Sequence, residues 1–222
     1  MANIFLSPIH DTALQPGMIE ELGDGRLTSY RYAKLQPPVN GLALLDESAQ
    51  GKIMLLGRAG WQAVAALGTQ APAIVGGGMI FDDVAVYRLR ADQIFVSVPP
   101  GREIAACTAL TAAETDERVT VTDITHGRAQ LRLVGPASAE LLSRLCGLDL
   151  SPGCITDHSA HQTSVAKTTQ LIIRSDLPGG VLSYVLIGAR SLGEYLWHSL
   201  LAAGGDLGIQ PIGHAGMPPP AA

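Results

Sequence analysis

The sequence is poor in charge, because only 16% of its 222 residues are Asp, Glu, Lys or Arg, whereas 47% are apolar. The 15 basic residues are scattered without a run and are outnumbered by 20 acidic ones, which gives a net charge of −5. A nucleic-acid-binding surface depends on clustered Lys and Arg and is therefore not expected. The low charge also predicts that some apolar surface packs on a partner rather than facing water.

Cysteine is scarce as well, with Cys107, Cys146 and Cys154 as its three instances. Their odd number and the lack of a C-x-x-C pair argue against a disulfide framework or a structural zinc site, and they fit a reducing compartment. Cys107 lies in an Ala-rich stretch and Cys146 at the end of a predicted helix, so we expect both to be packing residues. Cys154 has no close cation and is not expected to be a nucleophile.

The chain lacks both a long apolar run and a targeting pattern at its start. No stretch approaches the roughly 20 apolar residues of a membrane-spanning helix. The opening MANIFLSPIHDTAL has no basic region and reaches Pro8, His10 and Asp11 too early for a signal peptide. We therefore expect a cytoplasmic protein that does not span a membrane.

Turn signals and hydrophobic periodicity divide the chain into three parts. Residues 1–40 carry repeated Pro and Gly turn signals and are predicted to be irregular. Residues 41–213 alternate strand and helix patterns and form the predicted folded domain, whereas residues 214–222 are predicted to be disordered. The clearest predicted helix is RSLGEYLWHSLLAAGGD. Its predicted apolar stripe consists of Leu192, Tyr195, Leu196, Ser199 and Leu200.

One phrase occurs twice. DESAQGKIMLLGRAGWQAVAAL begins at Asp46, and DITHGRAQLRLVGPASAELLSRL begins at Asp123. Each consists of Asp, a short polar turn, Gly with a basic residue, a strand pattern, Gly and an Ala- and Leu-rich helix pattern. The recurrence predicts two related α/β lobes, about 41–115 and 116–213, that share one composite core.

The stretch GGGMIFDDVAVYRL begins within a link rich in Gly and Pro and places Asp82 and Asp83 together at the start of a predicted strand. Two explanations are open at this point. The pair can cap loose backbone amides in a turn, as Asp readily does. Alternatively, one carboxylate is held at a ligand pocket.

The remaining polar motifs do not predict a metal or a phosphate site. DHSAHQ places His158 and His161 in H-x-x-H spacing, but no matching third ligand is visible in the sequence. Gly76-Gly77-Gly78 lacks the Lys-Ser/Thr of a phosphate loop and is expected to serve a turn. The large aromatic side chains are expected to be core or interface anchors, namely Trp61, Tyr195 and Trp197.

Five phrases follow one another in an order that points to a known family. They are LSPIHD, GLALLDESAQGKIMLLGRAG, GGGMIFDDVAVYRL, LRLVGPASAELLSRL and GDLGIQPIG. In this order they resemble the folate-binding region of the glycine-cleavage aminomethyltransferase (T-protein) family. The resemblance covers nearly the whole chain and implies an α+β fold of two related lobes. Complete transferases continue with a β-barrel domain, which we expect to be missing because the chain ends just after Gly213.

The resemblance also implies a tetrahydrofolate site. By motif position, Asp83 is the carboxylate that faces the reacting amine, which makes it the candidate catalytic residue. Tyr87 matches a tyrosine that lines the pocket. In the phrase RSDLPGGVLSYVL, Arg174 matches a site residue, and Ser183 stands where the family has a glutamate that pairs with the pterin ring. Tyr87, Arg174 and Ser183 are thus the candidate cofactor-binding residues, and no metal ligand is predicted.

Several ligand-binding positions depart from the family pattern. Val98 and Gly101 occupy the places of two asparagines, and Leu177 occupies that of a pocket tyrosine. The hydroxyl of Ser183 cannot replace a carboxylate that faces two N–H donors, and a buried donor left unpaired costs about 1–3 kcal/mol. The sequence therefore predicts the family's fold together with a weakened folate site.

The C-terminal portion, QTSVAKTTQLIIR with ARSLGEYLWHSLLAAGG, is similar to the small gamma subunit of heterotetrameric sarcosine oxidase. This resemblance implies a mainly structural or pocket-completing subunit of an amine-oxidising or one-carbon-transferring complex, packed on a larger flavoprotein or transferase subunit. The alternative is a tetrahydrofolate-binding enzyme of the aminomethyltransferase type that transfers a one-carbon unit. A third hypothesis is a free-standing regulatory protein that keeps the fold without the ligand.

Overall fold

A computed structural model describes residues 6–9, 19–22, 26–29, 42–58, 60–113 and 118–213, with 19–22 and 26–29 as backbone alone. The chain divides into two compact units. The smaller unit consists of Gln50–Gly127 and His158–His161. The larger unit consists of Met1–Ala49, Arg128–Asp157 and Gln162–Ala222.

The described residues form a mixed α+β structure. Its strands are β1 (Ile19–Leu22), β2 (Arg26–Ser29), β3 (Ala43–Asp46), β4 (Gly51–Leu56), β5 (Gly78–Phe81), β6 (Val84–Arg90), β7 (Gln93–Val98), β8 (Thr120–Asp123), β9 (Arg128–Val134), β10 (Ser159–Val165), β11 (Thr168–Arg174), β12 (Ser183–Ala189) and β13 (Gln210–Pro211). Its α-helices are α1 (Gly60–Ala63), α2 (Glu103–Ala113), α3 (Ser138–Ser143) and α4 (Gly193–Ala203). Its 3₁₀ segments are Val64–Leu67, Thr125–Gly127 and Arg190–Leu192.

Two sheets repeat one strand order. The smaller sheet has the order β5-β6-β7-β4-β8, and the larger has the order β10-β11-β12-β9-β3-β13. The first five positions of the two orders correspond, since β4 to β7 occupy the places of β9 to β12. The remaining pair, β8 and β3, is exchanged, because neither lies in the sheet of the strand that follows it in the chain: β3 precedes β4 but pairs with β9, and β8 precedes β9 but pairs with β4. This shared order supports the predicted relation between the two halves.

The strand exchange occurs at two turns that have the same hydrogen bonds, which we name the crossing turns. In the first, Oδ1 of Asp46 accepts the N–H of Ser48 at 3.0 Å. The hydroxyl of Ser48 accepts the backbone N–H of Gln130 at 3.0 Å and donates to the carbonyl of the same residue at 3.3 Å. One short side chain thus ties the turn to strand β9, with both backbone groups of Gln130 satisfied.

The second crossing turn repeats this arrangement with different residues. Oδ1 of Asp123 accepts the N–H of Thr125 at 2.8 Å. The hydroxyl of Thr125 accepts the N–H of Lys52 at 2.9 Å and donates to the carbonyl of Lys52 at 3.4 Å. The spacing Asp-x-Ser/Thr in the recurring phrase is therefore the sequence signal of the crossing turns, since both side chains bond backbone groups nearby.

Each sheet has one face covered by helices of its own unit. In the smaller unit, Val84, Val86 and Val96 pack with Ala106 and Leu110 of α2. In the larger unit, residues of β9 and β12 pack with α3 and α4. The central members of that cluster are Leu131, Leu133, Leu186, Leu141, Leu196, Trp197 and Leu200. Alternation along the strands places these residues on one face of each sheet.

The structure divides the chain differently from the predicted lobes 41–115 and 116–213. The division falls after residue 49 and again after residue 127, with 158–161 added to the smaller unit. The physical reason is the strand exchange, since β8 pairs with β4 and β3 pairs with β9. Sequence similarity identifies the repeated phrase but does not show which sheet its first strand joins.

Some segments predicted to be irregular contain strands. β1 and β2 pair as an antiparallel hairpin inside residues 1–40. β5 lies in the predicted Gly/Pro-rich link, where Gly78 begins a strand that pairs with β6. Residues 214–222, predicted to be disordered, lie outside the described residues.

The buried face of α4 differs from the predicted stripe. Leu196 and Leu200 are buried as predicted, but Trp197 is buried too, whereas Tyr195 is 48% and Leu192 is 38% exposed. The cause lies at Gly193, where an added Cβ would come within 2.9 Å of Pro8 and Ala129 side-chain atoms. This close approach fixes the helix face that turns inward, and periodicity alone cannot detect it.

Among the described residues, no helix combines the length and the apolarity that crossing a bilayer requires.

The aspartate of the first crossing turn is buried and that of the second is exposed. Replacing each by alanine therefore gives a matched pair of substitutions that tests how much burial adds to the stability of the turn. Asp46 is 1% exposed and also accepts the hydroxyl of Ser7, so Asp46→Ala leaves buried donors unpaired and should cost about 1–3 kcal/mol of unfolding free energy. Asp123 is exposed, and water can replace its carboxylate. Asp123→Ala should therefore cost under about 1 kcal/mol.

Urea unfolding of both variants measures the two costs, provided that the m-value stays unchanged. Equal losses of stability in the two variants would contradict the unequal roles assigned to the crossing turns.

Candidate functional site

Asp82 and Asp83 form the two-residue connection of a β-hairpin, since Phe81 pairs with Val84 across it. Asp82 has a φ of +52°, in the left-handed region that two-residue hairpin turns use. Asp tolerates this region better than most residues. The first explanation, that the two aspartates form a turn, therefore accounts for the backbone conformation at Asp82 and Asp83.

The carboxylate of Asp83, the candidate catalytic residue, is engaged by a residue that the sequence did not suggest. Oδ2 of Asp83 accepts a hydrogen bond from Nη1 of Arg102 at 2.6 Å. Both side chains are half exposed, Asp83 at 49% and Arg102 at 61%. Arg102 directly precedes α2 and follows Gly101, whose φ of +84° makes the turn. No spacing rule links positions 83 and 102, which explains why sequence reasoning missed the pair.

A cleft of about 270 Å³ opens beside this ion pair, entirely within the smaller unit. We name it the alanine groove. Its lining consists of Ala66, Leu67, Val84, Val98, Arg102, Ala105, Ala106 and Ala109. Arg102 is the charged member of this lining. Val98, which stands in place of a family asparagine, is 2% exposed and packs in the core of the unit.

Tyr87, a candidate cofactor-binding residue, lies on the opposite face of the smaller sheet from that core. It is 3% exposed and pairs with Phe95, whose ring centroid lies 6.4 Å from its own. Gly78 pairs with Tyr87 on the other side, and an added Cβ there would lie 2.3 Å from the tyrosine ring. Gly78 is therefore required by the packing of Tyr87 rather than by a phosphate or a free turn.

Arg174 lies in β11 of the larger unit, and its guanidinium is committed to internal partners. Nε and Nη2 donate to the two carboxylate oxygens of Asp176 at 3.1 and 2.6 Å. Nη1 donates to the carbonyls of Pro152 and Ile155 at 3.3 and 2.5 Å. The hydrogen bond with Asp176 raises the pKa of Arg174, which keeps its charge fixed. This bidentate pair closes a loop instead of presenting donors to a ligand.

Ser183 lies in β12, where it is fully buried and hydrogen-bonded. Its hydroxyl accepts from Nη1 of Arg132 at 3.0 Å, and its backbone N–H donates to Asp176 at 3.2 Å. Arg174 pairs with Tyr184 across the sheet, so alternation places the side chains of Arg174 and Ser183 on opposite faces. The larger unit therefore brings the two backbones together but does not direct the two side chains into one pocket.

A second ion pair, which sequence reasoning missed, supports Ser183. Nε of Arg132 donates to Oε1 of Glu47 at 2.6 Å, with only 15% and 13% of the two side chains exposed. The other oxygen of Glu47 accepts from Nε2 of Gln130 at 3.1 Å. Gln130 and Arg132 are two residues apart on β9 and share a face, and this polar alternation is visible in the sequence as QLRL.

The histidines and cysteines form no metal site among the described residues. Burial lowers the pKa of His161, and its Nε2 atom is buried without a hydrogen-bond partner. Cys146 is buried in the core of the larger unit and Cys107 is half-buried, which confirms their expected packing roles. Cys154 is exposed, and its thiol donates to Asp149 at 3.0 Å. All three are free thiols.

Comparison with known proteins identifies the relatives of this architecture. A family model described as the GCVT N-terminal domain matches residues 40–218. The gamma subunit of sarcosine oxidase from Corynebacterium sp. (strain P-1) is 32% identical over 159 residues, which cover 70% of this chain and 75% of that protein. An aminomethyltransferase from Clostridium botulinum (strain Loch Maree / Type A3) is 24% identical over 136 residues. The matched part is 61% of this chain but only 36% of that transferase.

Two solved structures share the fold. A chain of the heterotetrameric sarcosine oxidase from Corynebacterium sp. U-96 superimposes with a TM-score of 0.72 and 24% identity, covering 90% of this chain and 95% of that one. The glycine cleavage system aminomethyltransferase T from Bartonella henselae gives a TM-score of 0.75 at 18% identity, over 96% of this chain and 61% of that one. The predicted α+β fold class is thereby confirmed.

The pairs Arg132–Glu47 and Arg102–Asp83 should contribute unequally to stability. Arg132→Ala leaves Glu47 nearly buried without its cation and should cost about 3 kcal/mol or more. Arg102→Ala breaks an exposed pair, which water and salt already screen, and should cost under about 1 kcal/mol. Chemical denaturation of both variants at low and high salt tests this, and a loss for Arg102→Ala as large as that for Arg132→Ala would contradict it.

Proposed function

Because the chain belongs to the family defined by the GCVT N-terminal domain, we propose that it is a small gamma-type subunit of a multi-subunit amine-oxidising complex. Its role is to pack on a larger flavoprotein subunit and to help complete that subunit's pocket. The observation that carries this proposal is the 32% identity with a sarcosine oxidase gamma subunit, which extends over 75% of that protein. The cytoplasm stays the expected compartment, since the three cysteines are free thiols.

The candidate site residues are already bound to other residues of this chain. This favours a structural role in a complex over catalysis by the chain itself. Asp83 is already paired with Arg102, and a cationic amine would have to compete with that guanidinium. Arg174 gives its donors to Asp176 and to two loop carbonyls. A residue that acts on substrate needs groups that stay available until the substrate arrives.

The residues at the predicted cofactor positions do not fit tetrahydrofolate as the family holds it. A pterin ring presents N–H donors that a carboxylate satisfies in pairs, whereas Ser183 offers one hydroxyl, which Arg132 already engages. Val98 stands in place of an asparagine and is packed in an apolar core. We therefore assign no chemical step to folate in this chain.

The surface composition supports a partner. Phe81 and Ile104 are large apolar side chains that stand exposed on the smaller unit, at 50% and 74%. Large exposed apolar side chains that lie together on a surface are typical of proteins that bury them against another chain. The chain of the Corynebacterium structure that shares this fold comes from a heterotetramer.

Sequence similarity also favours an alternative function, that of an aminomethyltransferase-type enzyme. Several aminomethyltransferases are similar in sequence to this chain, and the matched part covers about a third of their length. In this second proposal the chain binds tetrahydrofolate itself and transfers a one-carbon unit, with Asp83 near the amine and Tyr87 and Arg174 lining the site.

The main proposal predicts a flavin-containing complex. When the chain carries an affinity tag in its native cells, a larger subunit with flavin absorbance should copurify, and the complex should oxidise an N-methyl amine. The tag alone is the matched control. Recovery of the chain as a monomer without flavin, even at high concentration, would contradict the proposal.

The two proposals predict opposite results in calorimetry with tetrahydrofolate. The isolated chain should bind it no more tightly than about 100 μM, because the hydrogen-bonding groups at the predicted positions are absent or engaged. Asp83→Ala should leave this result unchanged. Micromolar binding that Asp83→Ala abolishes would replace the main proposal by the transferase alternative.

A further inference from the structure

The exposed apolar side chains of the described residues are concentrated on the smaller unit. Eight of the twelve large ones lie there, although this unit is the shorter of the two. They are Leu56, Trp61, Ile74, Val75, Met79, Ile80, Phe81 and Ile104. Single exposed apolar residues are normal, but a contiguous group needs an explanation.

Part of this group adjoins the alanine groove. Met79 pairs with Val86 and Phe81 pairs with Val84, so these two side chains share the face of the sheet that α2 covers. The ring of Phe81 lies beside Gly68, where a Cβ would be 3.6 Å away, at the end of the 3₁₀ segment that lines the groove. The end of strand β5, at Phe81, therefore borders the groove.

The groove has the shape of a receptor for a side chain. Ala66, Ala105 and Ala109 are short side chains on the 3₁₀ segment and on α2, and Val84 and Val98 close the bottom. The resulting volume of about 270 Å³ accepts a bulky aliphatic or aromatic side chain. Filling such a pocket with an apolar anchor is how interfaces gain most of their free energy.

The charge beside the groove selects the kind of partner. Asp82 and Asp83 stand against one cation, Arg102, and Asp82 has no ion pair with a described residue. The surface is thus negative by one charge. A second copy of the chain would bring another negative surface, whereas a segment with a lysine or arginine would be complementary.

We propose that the alanine groove and the end of strand β5 are the docking surface for the larger subunit. The docked segment presents one bulky apolar side chain to the groove and a basic residue to Asp82. This inference rests on the proposed function, because it takes the occupant to be the flavoprotein subunit of the complex. It goes further by stating where that subunit binds and which chemistry it offers.

Two substitutions on α2 distinguish binding through the groove from binding through the rest of the helix. Ala105→Leu fills the groove from an exposed position, without a change in the core. Thr108→Leu adds the same side chain three residues later, also exposed but outside the groove, and is the matched control. Circular dichroism and thermal unfolding confirm that both variants are folded.

The probe is the flavoprotein that copurifies with the tagged wild-type chain, separated from it and rebound in a binding assay. Ala105→Leu should weaken its affinity about tenfold or more, since it blocks a central anchor. Thr108→Leu should stay within about twofold of wild type. Asp82→Asn, which tolerates the positive φ, should weaken binding about two- to fivefold at low salt and less at high salt.

Each outcome decides a different point. If wild type brings down no flavoprotein, the proposed function fails and this inference falls with it. If the flavoprotein binds Ala105→Leu and Thr108→Leu equally well, the proposed function stands but the docking surface is overturned. If the isolated chain forms a dimer that Ala105→Leu dissolves, the occupant is a second copy, which also overturns the inference.

Discussion

The fold depends on two hydroxyl groups that each satisfy both backbone groups of one residue. Ser48 does this for Gln130, and Thr125 does it for Lys52. Each hydroxyl lies two residues beyond an aspartate that fixes its turn. Without these bonds, the backbone N–H groups of Lys52 and Gln130, near the starts of β4 and β9, would lose their partners at the point where the chain leaves one sheet for the other. The exchange of β3 and β8 between sheets sets the two main boundaries of the units, after residue 49 and after residue 127.

The polar side chains near the candidate site serve this architecture. Arg132 and Glu47 form a nearly buried pair that holds Ser183. Arg174 fixes a loop by donating to the carbonyls of Pro152 and Ile155, while Asp176 orients its guanidinium. A buried guanidinium without its carboxylate would be strongly unfavourable, so these residues constrain one another. The positions that resemble a ligand site are thereby used to hold strands and loops in place.

The sequence predicts the local elements better than their pairing. Hydrophobic alternation and flanking turn residues locate β6, β7, β11 and β12, and the recurrence of Asp46 and Asp123 indicates two related halves. Sheet membership depends on contacts distant in sequence, so the exchange of β3 and β8 could not be predicted. The Asp83–Arg102 pair and the buried face of α4 were missed for the same reason, since both depend on neighbours that no local pattern specifies.

A binding site for a small polar ligand needs donors and acceptors that remain available until the ligand arrives. At the predicted positions Asp83, Arg174 and Ser183 are already paired inside their own unit. The smaller unit exposes apolar surface. Removing that surface from water lowers the free energy, whichever apolar group covers it. The polar side chains at these three positions are therefore engaged, while several apolar side chains of the smaller unit are exposed, a balance that favours association with another protein over binding of a small polar ligand. The similarity to a subunit of a heterotetramer and the engaged polar side chains thus support the same conclusion from independent observations.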